Sequence, residues 1–251
     1  MVTLSFKKPI ILTRTNQDNK DFVNLFLSTY KLENIKNCFK CLPLIEIVLE
    51  KKTKETIGSN PLIFTSRHGV QAISLMSNLA EKEIFCVGQS TANLAIELGL
   101  KNVFYPSVGT VSNLVRLIRS KVDNNSSSLH YFRGEEISYD LKGELSKFGY
   151  VITESIVYRQ KQIRSERLIN NIISKENAGG VVFFSASVAK IFCKGIKIVP
   201  EDFLFMCISD RVAQVVFEAQ LKGNYKVKIA SQPTTEEIIE LIYNEKSIWP
   251  N

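Results

Sequence analysis

The regular alternation of short apolar runs with segments of helical periodicity most constrains the fold of this chain. Eight runs are typical of strands: 9–13, 62–65, 84–87, 103–105, 129–132, 181–184, 203–208 and 227–229. Nine segments have helical spacing: 18–30, 67–79, 90–98, 111–120, 137–148, 164–175, 186–193, 210–221 and 234–243. Because the strands are almost continuously apolar and most precede a helix, we predict an α/β fold with parallel sheets flanked by helices.

Capping residues support these boundaries. Small hydroxyl residues stand at or just before five helical segments, as N-caps do: Ser66, Ser90, Ser185, Ser209 and Thr234. Gly99 and Gly149 follow helical segments, where a C-terminal glycine stops a helix. Two further segments, 42–50 and 151–163, are extended without an immediate helix, and we interpret them as linkers.

An internal repeat indicates a duplicated domain. Ser66 and Ser185 end similar apolar segments at an offset of 119 residues, and Arg14 and Arg133 share the same offset. The segments starting at Cys86 and Cys207 correspond at an offset of 121, and those starting at Thr110 and Thr234 at an offset of 124. Solenoid repeats are shorter, at ~20–50 residues. The repeat therefore predicts two similar domains with a cleft between them.

Charge suggests an anionic partner. The 251 residues carry a net charge of +7, which fits nucleic acid, an acidic membrane surface or a polyanionic small molecule. The basic residues are spread along the chain, the densest cluster is short (51–54), and no nucleic-acid motif is present. No apolar run reaches the ~20 residues of a membrane span, and the first nine residues lack a secretory signal. We expect a cytoplasmic protein.

Familiar catalytic motifs are absent from the sequence. It contains no phosphate-binding loop, dinucleotide fingerprint, zinc-protease motif or nucleophile elbow. We expect surface or capping roles for His68 and His130. The five scattered cysteines, including the C-x-x-C pair at 38 and 41, are expected to be reduced and structural.

Polar residues remain at the strand-to-helix junctions. They are Thr13, Arg14, Thr65, Ser66, Ser90, Thr91, Arg133, Gly134, Ser185, Ser187 and the segment 231–235. In parallel α/β sheets such junctions lie at the carboxyl edge, where ligands and anions bind. Each hydroxyl could instead serve only as a helix cap. Recurrence in both halves favours a shared carboxylate- or phosphate-binding cleft.

Five segments together resemble the uroporphyrinogen-III synthase family. They are 11–14 (ILTR), 62–70 (LIFTSRHGV), 87–92 (VGQSTA), 132–134 (FRG) continuing through Gly149 to 156–159 (IVYR), and 182–187 (VFFSAS). Each is short, but their order and spacing extend over most of the chain. The resemblance implies two α/β domains joined by a two-stranded β-ladder. Here it would give residues 1–41 plus 164–251 for one domain, 42–50 and 151–163 for the ladder, and 51–150 for the other domain.

The resemblance also implies an activity. Family members are lyases of haem (porphyrin) biosynthesis, which cyclise hydroxymethylbilane, a linear octacarboxylate tetrapyrrole, to uroporphyrinogen III. Water is lost, an azafulvene forms, and the last pyrrole ring is inverted through a spiro intermediate. Since the free substrate cyclises without inversion, the enzyme must chiefly hold one geometry. The resemblance implies no cofactor and no metal, a monomer, and a possible transient contact with hydroxymethylbilane synthase.

Individual residues follow from the same resemblance. Tyr158 matches the family's tyrosine and is a candidate general acid, although it could simply pack and contact substrate. The chain departs from the family at Gln160, where threonine is usual, and at 209–212, where a glycine and a threonine are lost. Arg211 could contact substrate there, or it and Asp210 could cap the helix. Arg14 and Arg133 could bind carboxylates or pair with acids of the protein.

A second hypothesis is a two-domain anion- or tetrapyrrole-binding module without catalysis. The departure at 209–212 motivates it. A nucleic-acid-binding protein is a third hypothesis, and strongly salt-dependent binding would distinguish it.

Overall fold

A computed structural model describes residues 3–245 except 33, 37, 51–57, 75–78, 124–127, 165 and 197. The lysine cluster at 51–54 thus lies outside the described residues. The strands are β1 (Thr3–Ser5), β2 (Ile10–Leu12), β3 (Asn34–Lys36), β4 (Phe39–Cys41), β5 (Ile45–Leu49), β6 (Leu62–Phe64), β7 (Glu83–Cys86), β8 (Asn102–Phe104), β9 (Ser128–Gly134), β10 (Val151–Gln162), β11 (Gly180–Phe183), β12 (Phe203–Cys207) and β13 (Tyr225–Ile229).

Nine described helices correspond to the nine predicted segments, although the bounds of some differ. They are α1 (Asn16–Thr29), α2 (Arg67–Ile73), α3 (Gln89–Glu97), α4 (Val111–Lys121), α5 (Leu141–Ser146), α6 (Glu166–Glu176), α7 (Ala186–Gly195), α8 (Asp210–Glu218) and α9 (Thr235–Asn244). None of these described helices is long and apolar enough to cross a membrane.

The chain divides into two compact units, which we call unit 1 (residues 1–46 and 162–251) and unit 2 (residues 47–161). The chain passes from one unit to the other within β5 and again at the end of β10. These two strands are hydrogen-bonded neighbours, as the predicted β-ladder requires. The fold class, α/β with parallel sheets, is confirmed.

Unit 1 contains a five-stranded sheet with the order β13-β12-β11-β2-β4, in which all neighbours are parallel. Alternate residues enter two cores. Ile11, Phe183 and Phe205 lie in the core that α6, α7 and α8 cover, whereas Ile10 and Leu12 face α1 and α9. Burial on both faces explains why these strands are continuously apolar.

Unit 2 repeats this arrangement. Its strands have the order β10-β9-β6-β7-β8, all parallel, and β5 adds to β10 at the edge of the same sheet. Leu62 and Phe64 pack with α2 and α3, whereas Ile63 and Phe85 pack with α4 and α5.

Three local predictions were wrong, and three short strands were missed. The short strands β1, β3 and β4 were not predicted. The helix expected from 137 begins at Leu141. The Asp140 carboxylate caps this helix by accepting a hydrogen bond from the N–H of Gly143 at 2.9 Å. The helix expected to reach 79 ends at Ile73. Ser90 lies inside α3, whose N-cap is Gly88.

The remaining caps are confirmed. Ser66, Ser185 and Thr234 accept hydrogen bonds from N–H groups in the first turns of their helices, and Ser209 is the N-cap of α8. At 209–212, Ser209 occupies the N-cap position of α8 without a side-chain capping hydrogen bond, and Asp210 and Arg211 lie in the first turn of the helix.

Candidate functional site

The strand order reverses once in each parallel sheet. In unit 1 the chain leaves β2 towards β4 on one side and later returns to β11 on the other side of β2. In unit 2 the reversal lies between β6 and β9. Loops diverge at such a switch point and leave a crevice outside the carboxyl ends of the strands, where ligands bind in open α/β sheets. Both switch points therefore define candidate sites.

The predicted residues of unit 1 flank its switch point. Arg14 follows β2, and its guanidinium lies over the ring of Phe184, 4.7 Å from the centroid, at the end of β11. It also pairs with Asp18 at 3.4 Å while keeping about a third of its side chain exposed (32%). The Ser185 hydroxyl caps α7 and lies 3.1 Å from the hydroxyl of Ser187. The structure thus brings a cation and two hydroxyls to one edge.

Thr13 has a different role in the structure. It is 1% exposed, and its hydroxyl donates to the carbonyl of Val182 at 2.9 Å. This bond ties β2 to β11 beside the switch point. The Thr13 hydroxyl therefore holds the two strands together.

The switch point of unit 2 is built around Thr65. The Thr65 hydroxyl lies 2.7 Å from the hydroxyl of Tyr131, a residue of β9 that sequence reasoning missed. Burial raises the pKa of Tyr131. The hydrogen bond to Thr65 lowers this pKa, but by less than burial raises it. Ser66 caps α2 by accepting from the N–H of His68 at 3.2 Å. Thr65 and Ser66 stay half-buried at the edge.

Arg133 is held by the protein's own groups. Its Nε donates to Glu154 Oε1 at 2.8 Å, and Nη1 donates to the carbonyls of Gly134 and Glu135 at 2.8 and 3.1 Å. Lys142 also approaches Glu154, at 3.8 Å. Of the two alternatives for Arg133, pairing with an acid of the protein is the one observed.

Tyr158 occupies a fitted position at the same edge. A bulge in β10 skips one residue, so that Tyr158 pairs with Gly134 of β9. Such bulges redirect side chains. A Cβ on Gly134 would lie 2.7 Å from two ring carbons of Tyr158 and 3.0 Å from its hydroxyl oxygen, so glycine makes room for the phenol. The His68 ring meets Tyr158 edge-on at 5.5 Å, and Tyr158 is 9% exposed.

The β7–α3 junction lies next to the switch point. Ser90 is exposed on the first turn of α3, whereas Thr91 is 5% exposed and faces inward. Gly88 lies close to Gly109 in the junction between β8 and α4. A Cβ placed on Gly88 would lie 3.2 Å from the Gly109 Cα. Ser90 and Thr91 are thus one strand away from Thr65 in the sheet.

The surface prediction for His130 is wrong. His130 is 5% exposed, and its Nε2 lies 2.8 Å from the Ser155 hydroxyl in the core of unit 2. Neighbouring strands bury both side chains, which the isolated sequence could not show. His68 is half-buried in the first turn of α2.

The cysteines are free, as predicted. Burial raises the pKa of Cys38 to about 11 and those of Cys86, Cys193 and Cys207 to about 12, which keeps these thiols protonated at neutral pH. Within the part of the chain that the structure describes, no three His, Cys, Asp or Glu side chains converge as metal ligands.

Doubly wound units with polar switch points define a class of small-molecule-binding α/β proteins. A family model described as uroporphyrinogen-III synthase HemD matches residues 40–240. The crystal structure of uroporphyrinogen-III synthetase from Helicobacter pylori is similar at 20% identity and a TM-score of 0.65, covering 94% of this chain and 98% of that one. A mutant uroporphyrinogen III synthase from Thermus thermophilus has 14% identity and a TM-score of 0.49, covering 93% and 97%. No curated protein matches.

The chain belongs to the uroporphyrinogen-III synthase family, because the family model matches most of its length. Its activity is that of a lyase in porphyrin biosynthesis, which cyclises hydroxymethylbilane to uroporphyrinogen III. No finding supports the non-catalytic binding module.

Proposed function

We propose that the switch-point edge of each unit binds carboxylates of hydroxymethylbilane and so fixes the geometry in which the last ring inverts. The observation that carries this proposal is the recurrence of hydroxyl side chains at both switch points, beside the partly exposed Arg14 in unit 1. In unit 1 the contacts are Arg14, Ser185 and Ser187. In unit 2 they are Thr65, Ser66 and Ser90. Thr91 and Arg133 are omitted because Thr91 is buried and Arg133 is engaged by Glu154. Thr13 is omitted because its hydroxyl is buried and donates to Val182.

Charge supports an octacarboxylate ligand. Arg14 keeps about a third of its side chain exposed, although it pairs with Asp18. Arg133 is only 16% exposed and neutralises Glu154, which reduces the negative charge at the edge of unit 2. The N-terminal N–H groups of α7 and α3 face the same edges and favour anions. The net charge of +7 attracts the substrate over longer range.

In this proposal, Tyr158 protonates the departing hydroxyl of the substrate. Its position between Gly134 and His68 holds the ring in one orientation, and general acids contribute through such fixed geometry. The other residues act by orientation, which alone can supply a large part of a rate enhancement.

Tyr158→Phe is expected to lower turnover several-fold while the protein stays folded, because only the phenolic hydroxyl is lost. Steady-state kinetics of uroporphyrinogen III formation, with a thermal melt beside them, measure both effects. Full activity in this variant would remove the acid role and leave Tyr158 as a packing and contact residue.

We further propose that the enzyme acts in the cytoplasm as a monomer and receives its labile substrate during transient contact with hydroxymethylbilane synthase. The five free cysteines support a reducing compartment.

The isomer ratio of the products tests the function directly. Hydroxymethylbilane is generated in situ, the protein is added, and the oxidised products are separated into uroporphyrins I and III. We expect isomer III to predominate over the protein-free control. Isomer I alone, from protein shown to be folded, would contradict the assignment.

A further inference from the structure

Tyr131 is a buried polar residue that the proposed chemistry leaves without a role. Its side chain is 3% exposed in the core of unit 2, and its register partner in β6 is Ile63. The phenol reaches past this apolar layer to the hydroxyl of Thr65, two residues beyond Ile63 at the switch point. A phenylalanine would fill the same apolar space, so the hydroxyl is the feature to explain.

The direction of the hydrogen bond follows from burial. In the described residues the Thr65 hydroxyl is the recorded hydrogen-bond partner of the Tyr131 hydroxyl, at 2.7 Å. The geometry allows either hydroxyl to donate; because a buried O–H without an acceptor is costly, the donor in this inference is Tyr131 and the acceptor is Thr65 Oγ1. Thr65 then accepts this bond and still has its own proton to donate. Because Thr65 is half-buried at the edge, that proton can reach a bound ligand.

We propose that Tyr131 is a positioning residue, which fixes the Thr65 hydroxyl so that it donates to a substrate carboxylate. This inference rests on the proposed contact between Thr65 and substrate. Tyr131 itself does not touch the substrate. Tyr131 should therefore affect the binding of substrate, and this effect should depend entirely on the Thr65 hydroxyl.

The surroundings keep Tyr131 in its donor form. Burial raises its pKa, and this effect outweighs the lowering by the hydrogen bond to Thr65; Tyr158 and Glu154 raise the pKa further, whereas Arg133 lowers it. A raised pKa means that the phenol stays protonated throughout the neutral range. The orientation of Thr65 should therefore be independent of pH between ~6 and 8.

The test compares two buried tyrosines of unit 2. Tyr131→Phe is expected to raise KM for hydroxymethylbilane about fivefold with kcat almost unchanged, as for the loss of one well-oriented hydrogen bond. Tyr150→Phe is the matched control, since Tyr150 is 5% exposed and donates to the carbonyl of Val122 at 2.7 Å. It loses a similar bond outside the switch point, and its KM should stay at the wild-type value.

A double-mutant cycle decides whether Tyr131 acts through Thr65. Thr65→Val should raise KM about tenfold, and adding Tyr131→Phe should change it no further. Additive effects of the two substitutions on KM would overturn the inference, and so would equal KM values for Tyr131→Phe and Tyr150→Phe. Neither outcome would contradict the proposed function if the wild type still formed isomer III. Should Tyr131→Phe fail to fold, Tyr131→Met and Tyr131→Leu, which also lack the hydroxyl, replace it: a KM raised about fivefold supports the inference, and a wild-type KM overturns it.

Discussion

Replacing Gly134 by alanine is expected to lower the rate of uroporphyrinogen III formation roughly tenfold to a hundredfold. The new Cβ would lie 2.7 Å from the Tyr158 ring, closer than nonbonded carbon atoms can approach. Either the ring or the end of β9 must move, and both changes displace groups at the switch point. Because Gly134 follows Arg133 directly, the shift also disturbs the Arg133–Glu154 pair.

Gly58→Ala provides the control for this substitution. Among the described residues, a Cβ on Gly58 meets no atom within 4 Å, so the activity of this variant should equal that of the wild type. Steady-state rates and thermal melts of both variants separate a local displacement from general unfolding. Wild-type activity in Gly134→Ala would show that the position of the Tyr158 ring is unimportant for the reaction.

Phe205→Ala is expected to lower the free energy of unfolding of unit 1 by about 3–5 kcal/mol. Phe205 is fully buried in β12, with ring centroids of four aromatic side chains at 5.1–6.3 Å: Phe183, Phe192, Phe203 and Tyr225. Removing the ring leaves a cavity that these neighbours cannot fill without moving. Urea denaturation followed by circular dichroism measures the change.

Phe217→Ala is the matched control in the same unit. Phe217 lies on α8 and is 50% exposed, so its truncation should change the stability by less than about 1 kcal/mol. Equal losses in the two variants would contradict the packing described for the core of unit 1.

The central strands of both sheets were predictable because burial on two faces makes them continuously apolar. The strand β4 (Phe39–Cys41) was missed because Lys40 interrupts its short apolar pattern. Its place in the sheet depends on pairing with β2, where Ile11 faces Lys40. Such pairing is a tertiary contact, and a three-residue strand carries little local signal.

The internal repeat identifies strands that correspond between the two units. Its offsets pair β6 with β11, β7 with β12 and β9 with β2, and these strands occupy the same positions in the two sheets. The chain order could not be read from the repeat, because β9 follows β6, β7 and β8 in unit 2, whereas the corresponding β2 precedes β11, β12 and β13 in unit 1. The discontinuous organisation was therefore taken from the family resemblance.

The candidate site was only partly predictable. Arginine and hydroxyl residues after apolar runs predicted polar groups at the carboxyl edge of the sheets, because that position depends on local order along the chain. The switch points themselves depend on the strand order in each sheet. Tyr131 was missed because a tyrosine within an apolar strand looks like a core residue. Its contact with Thr65 depends on the register of β6 and β9, which only the assembled sheet fixes.

The interrupted course of unit 1 has a consequence for the newly synthesised chain. The strands of unit 2 have left the ribosome once residue 161 has emerged. By contrast, the Thr13 hydroxyl donates to the carbonyl of Val182, which is synthesised 169 residues after Thr13. We expect unit 2 to fold first during translation, while the apolar strand β2 remains without its neighbour β11. The nascent enzyme would then need chaperone protection chiefly for its first forty or so residues.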